Sequence, residues 1–394
     1  MNKASELDST IIAPLQTSTP YVASAATYQL NAYCAAQELA AQLKAPELDV
    51  IIFFCSASYD LATLGPAIQQ AFPNRKVVGC TTSGEITDRG YSSNSISALG
   101  FNNQVFSIAT SITSLNNFSF SEAQLCVAEL IKQCNKHPKA SITQNSFALT
   151  LIDGLSPQEE SFLATLNIAL GRIPHFGGSA GDDTNLAFTH VYSDGVFHSE
   201  AAVIVLFNTT CPFDVFTSHH IESLNRKLVV THADSEKRRV YELNAEPAAL
   251  VYAREVGIDL QDLRPEIYAL NPLAVQIGKE FYIRSIQKVN DDYSIDFYCA
   301  VDTGIVLTAM KPGDIFASIE RELEVRQRNI GEIEVVIGCD CFLRHLEISQ
   351  LAQENKINQL FSKYRLLGFN TYGEQLNGVH MNQTLTGVMI GKPK

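Results

Sequence analysis

Three metal-type donors stand within seven residues of one another near the end of the chain, as Cys339-x-Cys341-x3-His345. A structural zinc site normally takes four ligands from two short clusters, and no second Cys/His cluster of similar spacing occurs. Cys339 and Cys341 at alternate strand positions share one face. A structural strand is therefore expected, with zinc or redox chemistry as the alternative. Cys80 lies in a strand-to-loop passage, VVGCTTSGEIT (77–87). A nucleophilic thiol needs a base beside it, and none of the nine His is near in sequence, so a buried inert thiol is expected. FGGSAGDD (176–183) is Gly-rich enough to cradle an anion on backbone N–H groups. It lacks both the Walker ending and the G-x-G-x-x-G spacing, and reads as a tight loop. The His residues form no H-E-x-x-H pattern. A lone His can hold a haem iron, because the porphyrin supplies four ligands, but spacing selects none of the nine.

These side chains need elements to position them. DVIIFFC (49–55) and KVVGCT (76–81) read as buried strands around a helix over 64–72, after a helix over 28–43 and a polar lead up to Pro20. That alternation predicts a partly parallel sheet with helices on its faces. Strands follow at 95–101, 105–112 and 146–152, with a helix over 121–134. Ser156-Pro157-Gln158-Glu159 has the form of a capping box opening a helix that ends near Gly171. Further strands fall at 201–207, 213–218 and 227–233. The polar run ADSEKRR (233–239) is the expected domain boundary, and its EKRR part reads as a solvated turn. A second cycle begins with a helix around 246–256 and strands to 310, then a charged helix over 314–328 and a strand over 332–339. A last helix near 348–363 leads into two strand-like pieces joined by a polar loop that carries His380. No short internal repeat stands out. The fold class expected is α/β with some α+β character, two strand-rich domains with flanking helices.

With 29 Lys+Arg against 42 Asp+Glu the net charge is −13, and no basic block offsets it, which argues against nucleic acid as a partner. The longest apolar runs, such as 201–207, are too short for a membrane span, and the first twenty residues lack the apolar core of a signal peptide. A cytoplasmic protein without membrane insertion is expected, its nine Cys reduced.

Taken together, several stretches carry a likeness: VVGCTTSGEITDRGY (77–91), LIDGLSPQEE (151–160), FGGSAGDD (176–183) and VYELNAEPAALVYAREVG (240–257). It continues through YIRSIQKVNDD (282–292), CDCFLRHLE (339–347) and GFNTYGEQLNGVHMNQTLTGVMIG (368–391). The chain resembles the FIST sensory proteins, and within them the haem-binding, nitric-oxide-sensing NosP subgroup. The resemblance implies a lead and first helix over 1–40, a FIST N-terminal domain over 41–235 and a FIST C-terminal domain over 236–394. It also implies a cytosolic sensor without catalytic activity of its own. Ferrous haem b would bind nitric oxide, and the protein would regulate a partner histidine kinase of a two-component system or a cyclic-di-GMP enzyme; a homodimer is compatible with this. The wider family implies a haem-free module binding a small ligand such as an amino acid. NGVHMNQTLTG places His380 in the subgroup's arrangement, so the resemblance gives it the axial iron, with His220 in FTSHHIE as the reserve. Arg284 or Arg344 would then hold the haem carboxylates. His345 stands where the family has Arg, which argues against a ligand role. Nitric oxide would weaken the bond to a trans His, freeing His380 and its loop.

Overall fold

The structure, a computed structural model, describes residues 20–183, 185–278 and 280–393. The polar lead expected up to Pro20 lies outside them but for Pro20 itself. A strand not anticipated from sequence, Val22–Thr27, comes first. It pairs with Ile96–Asn102, which lies against Leu48–Ser56, itself parallel to Lys76–Thr82. The helices Ala32–Gln42 and Leu61–Ala71 connect these strands, capped by Asn31 and Asp60, whose side chains accept from Cys34 N and Ala62 N.

This plan occurs three times. The second unit has the edge strand Phe106–Ser114, the parallel pair Ser146–Ile152 and His175–Ser179, and the return strand Ala201–Thr209. In the third unit the same places belong to Phe213–Ser218, then Ile333–Cys341 and Leu366–Thr371, then Leu385–Gly391. Between its second parallel strand and its return strand, each unit sends out a short hairpin that joins another unit's sheet. The first unit's hairpin, Glu85–Thr87 with Gly90–Ser92, pairs with Leu366–Thr371 of the third. The second's, Val191–Ser193 with Val196–His198, pairs with Lys76–Thr82 of the first. The third's, Glu374–Leu376 with Val379–Met381, pairs with His175–Ser179 of the second. All three six-stranded sheets therefore have the same strand order. A long repeat is thus present where the sequence showed no short one.

The inner faces of the three sheets meet in one core. Phe54 stacks on Phe369 with centroids 4.4 Å apart, and Phe147 on Phe207 at 4.6 Å. Between the third unit's edge strand and its helix Ile315–Ile330 sits an insertion built on an eight-stranded sheet, from Ile221–Asp234 to Val306–Pro312. It has its own core around Leu228, Val240, Tyr252 and Phe297. The result is α/β as expected, two strand-rich bodies with flanking helices. The segment 233–239 lies within the insertion, where residues 235–238 turn the hairpin Ile221–Asp234/Arg239–Leu243. The single helix expected near 348–363 is two, Phe342–Gln350 and Glu354–Tyr364. Among the described residues no helix is long and apolar enough to cross a membrane.

The three hairpins leave their strands through one local pattern, a hydroxyl residue, any residue, Gly and an acid. It reads Thr82-Ser83-Gly84-Glu85, Ser179-Ala180-Gly181-Asp182 and Thr371-Tyr372-Gly373-Glu374. In the first and third units the buried acid fastens the start of the return strand. Glu85 accepts from the Ser95 Oγ at 2.6 Å, and Glu374 from the Thr384 N at 3.1 Å and Oγ1 at 2.9 Å. Asp182 instead accepts the N–H groups of Leu186, Ala187 and Phe188 at 2.9, 2.7 and 3.0 Å, shaping the loop.

Burial pushes the carboxyls of Glu85 and Glu374 up from 4.5 to about 8, against hydrogen bonds that favour the ionised form. A carboxyl with a raised folded-state pKa stabilises the fold fully at pH values below its unfolded pKa, and that stability is lost as pH rises. The thermal midpoint should therefore carry a falling component between about pH 4.5 and about pH 8. Glu374→Gln, which keeps the side chain's size and polarity without the titration, is expected to reduce that component in a pH series of melting curves, leaving the share of Glu85.

Candidate functional site

His380 does not lie in a polar loop. The Asn377-Gly378 pair takes φ of 47° and 84°, the two-residue turn whose positive φ values suit a tight hairpin, and His380 is in its second strand. Asn-Gly between strand-like pieces was the sequence signal for this hairpin. Residues facing each other across the ladder share a face, so Gln375 and His380 look one way, while Leu376 and Val379 look the other.

The Gln375/His380 face closes over a buried ionic cluster. Glu159 and Glu160 open the helix Glu159–Leu170, where the positive end of the helix dipole favours carboxylates. The expected capping box does not form: the helix N-cap is Gln158, without a side-chain cap, and Glu159 turns into the interior instead. Ser179 Oγ donates to Glu159, and Gln375 bonds both Ser179 and Thr150. From the insertion, Arg238 reaches Glu159 with Nη1 at 2.9 Å and Glu160 with Nη2 at 2.7 Å. The Ala300 N–H, also from the insertion, donates to Glu160 at 2.9 Å. The EKRR run is thus not a solvated turn throughout, since Arg238 is buried and paired.

His380 completes the cluster. Its Nε2 is 3.6 Å from Glu159 Oε1 and its Nδ1 3.6 Å from Glu160 Oε1, within ion-pair range but too far for a hydrogen bond. Neither buried ring nitrogen has a hydrogen-bond partner among the described residues. The ring lies against Gly373, where a Cβ would come 2.0 Å from Nε2, so the hydroxyl-x-Gly-acid pattern makes its space. Burial works to lower the His380 pKa, but Glu159 and Glu160 outweigh it and raise it. Burial likewise works against ionised Glu160, and His380, Arg238 and the Ala300 N–H together hold its carboxyl well below the usual range. At Glu159 burial outweighs His380 and Arg238 and raises the carboxyl, so the cluster holds two carboxylates against two cations only when Glu159 is ionised and His380 protonated.

On the hairpin's other face, Leu376, Val379 and Met381 meet Phe281, Tyr282 and Ile283 of the insertion around a cleft of about 290 Å³. Thr217 and His219, at the end of Phe213–Ser218, form another wall. A wider cleft of about 520 Å³ is lined by Lys76, Lys136, His137 and Lys139. It lies at the opposite ends of the parallel strands, and its Lys136 and Lys139 follow the C-terminus of Phe120–Cys134, where they complement the helix dipole.

The other expected residues are distributed as follows. His220 is buried with both ring nitrogens engaged: Nε2 is 2.8 Å from Glu347, and Nδ1 is 3.0 Å from Arg344 Nη1. Arg344 Nη1 can only donate, so Nδ1 accepts and Nε2–H donates, and burial lowers the His220 pKa. Arg344 also holds Asp340 at 2.7 Å, and Tyr91 OH donates to Asp340 at 2.5 Å. His345 stacks on Tyr91 at 4.1 Å. Arg284 donates to the Ile283 carbonyl at 3.3 Å and does not line the cleft. Cys339 and Cys341 are buried in Ile333–Cys341, where burial pushes their thiols up, as it does Cys80. Among the described residues no group of three or more His, Cys, Asp or Glu is placed to hold a metal ion. The structure thus brings His380 together with Glu159, Glu160 and Arg238, while His220 and Arg344 belong to a different set of partners, Asp340 and Glu347.

Removing Arg238 leaves Glu159 buried beside a second carboxylate. Arg238→Gln is expected to cost about 3–5 kcal/mol, the usual result of breaking a buried ion pair from one side, as read from urea denaturation. Glu159→Gln in the same chain should return part of that loss.

Compared with known protein families, residues 49–246 match the FIST N domain and residues 248–377 the FIST C domain. No curated protein matches the chain. Nothing in these matches separates a haem-binding subgroup from the rest of the family.

Proposed function

The chain belongs to the FIST family of sensory modules, and from that premise we propose that it is a non-catalytic input protein whose moving part is the hairpin 374–381. It senses a small ligand and passes the change by contact to a partner, a histidine kinase or a cyclic-di-GMP enzyme as the resemblance implies. The observation that carries this reading is the position of the hairpin. One face sits over the ionic cluster by which Arg238 and Ala300 tie the insertion to the body, and the other face borders an open cleft. A displacement of the hairpin moves His380 relative to Glu159 and Glu160, and so changes how firmly the insertion is held.

The haem form of this reading, with nitric oxide as its signal, is not favoured at His380. An axial ligand needs a nitrogen open to a large apolar slot, whereas this ring is walled by two carboxylates, Arg238 and Gly373. His220 could reach an iron only by giving up Glu347 or Arg344. The haem-free ligand module is therefore the better-supported alternative.

Two measurements test this. Protein reconstituted with haem should show no Soret band that depends on His380, and loss of such a band in His380→Ala would restore the haem reading. His380→Gln removes the cluster's second cation while keeping a polar group. It should raise hydrogen exchange in the insertion's 233–239 turn and change the partner's phosphorylation or cyclase rate. An unchanged rate alongside a loosened turn would count against the hairpin as the output path.

A further inference from the structure

We infer that the cleft between the hairpin 374–381 and the insertion's strand Glu280–Arg284 binds a small apolar carboxylic acid, gripped by Thr217 and His219, and excludes free amino acids. The inference rests on the sensory reading for its consequence, while the binding itself stands on the lining. The walls are side chains of Phe281, Ile283, Leu376, Val379 and Met381, and Val379 remains 39% exposed despite being apolar. A volume of about 290 Å³ suits a compact ligand, near the lower end of small-molecule pockets at roughly 300–1,000 Å³.

The polar end is equally specific. Thr217 Oγ1 is buried and has no hydrogen-bond partner among the described residues. An unpaired buried hydroxyl is costly, and a ligand oxygen at this point would satisfy it. His219 is two residues further on and follows the same face of the chain. Its backbone is pinned by Ser318 Oγ, which donates to the His219 carbonyl at 2.7 Å, so the chain that carries the exposed imidazole is held at the rim. Two donors at one end of an apolar slot match the two oxygens of a carboxylate. No Asp or Glu lines the cleft among the described residues, so the ammonium of an amino acid would be desolvated without a carboxylate to pair with.

Occupancy acts on the hairpin directly. Leu376, Val379 and Met381 form the ligand's wall, while Gln375 and His380 on the same two strands face Ser179, Glu159 and Glu160. A ligand pressing on one face is transmitted to the ionic cluster on the other.

The test uses the full chain and four probes: phenylacetate, octanoate, phenylacetamide and phenylalanine. Calorimetry should detect phenylacetate and octanoate but not phenylalanine. His219→Ala, an exposed change, should weaken phenylacetate at least about tenfold, the loss of one charge-assisted hydrogen bond, and leave phenylacetamide unchanged. Val379→Trp should fill the slot and abolish binding of all of them; because the chain has no Trp, the new indole also reports by its emission that the variant is folded. Phenylalanine binding as tightly as phenylacetate, indifference to His219→Ala, or a haem held through His219 in place of the acids would each overturn the inference. Binding as described with no effect on any partner would keep the site and remove the sensory reading. A partner response to some other ligand, with no acid bound, would do the reverse.

Discussion

A strand at the rim of a sheet leaves a row of N–H and C=O groups that something must cover. In each unit that rim is the second parallel strand: Lys76–Thr82, His175–Ser179 and Leu366–Thr371. Each is covered by a hairpin from another unit, in a closed cycle of three. No unit has a complete sheet alone, so the body has to be one cooperative object although its plan is triplicate. The buried acids of the hydroxyl-x-Gly-acid pattern follow from the same need. A chain that leaves its sheet, crosses to a neighbour and returns needs its departure and return fastened together, and Glu85 and Glu374 do this through Ser95 and Thr384.

The hairpin that leaves the third unit differs from the other two in its surroundings. The insertion packs beside it, giving one face an apolar cleft and the other a neutralised set of charges. Buried charges tolerate little displacement, because Coulomb energy in a poorly polarisable interior changes steeply with distance. Apolar contact on the opposite face is forgiving by comparison. The same short element thus couples a permissive surface to an exacting one, which is what a receiver of small signals requires.

Much of the fold could be read from the sequence, because buried strands such as 49–55 and 146–152 are short, mostly apolar segments and the helices carry clear periodicity. The triplication could not be read in this way, since its shared signature is four residues wide and the third copy is split by the insertion. The site was legible only in part. His380 stood out through resemblance, but its partners did not: Glu159 has the form of a cap residue, and Arg238 sits in a run that looks like a charged turn. Residues that act by meeting across two bodies carry no local pattern. The Asn377-Gly378 turn did carry one, and it marks the hairpin directly.

The cyclic exchange also fixes an order of events during synthesis. Leu366–Thr371 finds its covering hairpin already made, because 85–92 precedes it, and Lys76–Thr82 waits only for 191–198. His175–Ser179 must wait for 374–381, across the whole insertion. Until then the emerging chain carries an open parallel rim next to apolar runs such as Ser146–Ile152, the kind of surface that chaperones hold and that pairs wrongly with other copies. A ribosome that stalls within the insertion would release a chain whose first sheet is closed and whose second is sticky.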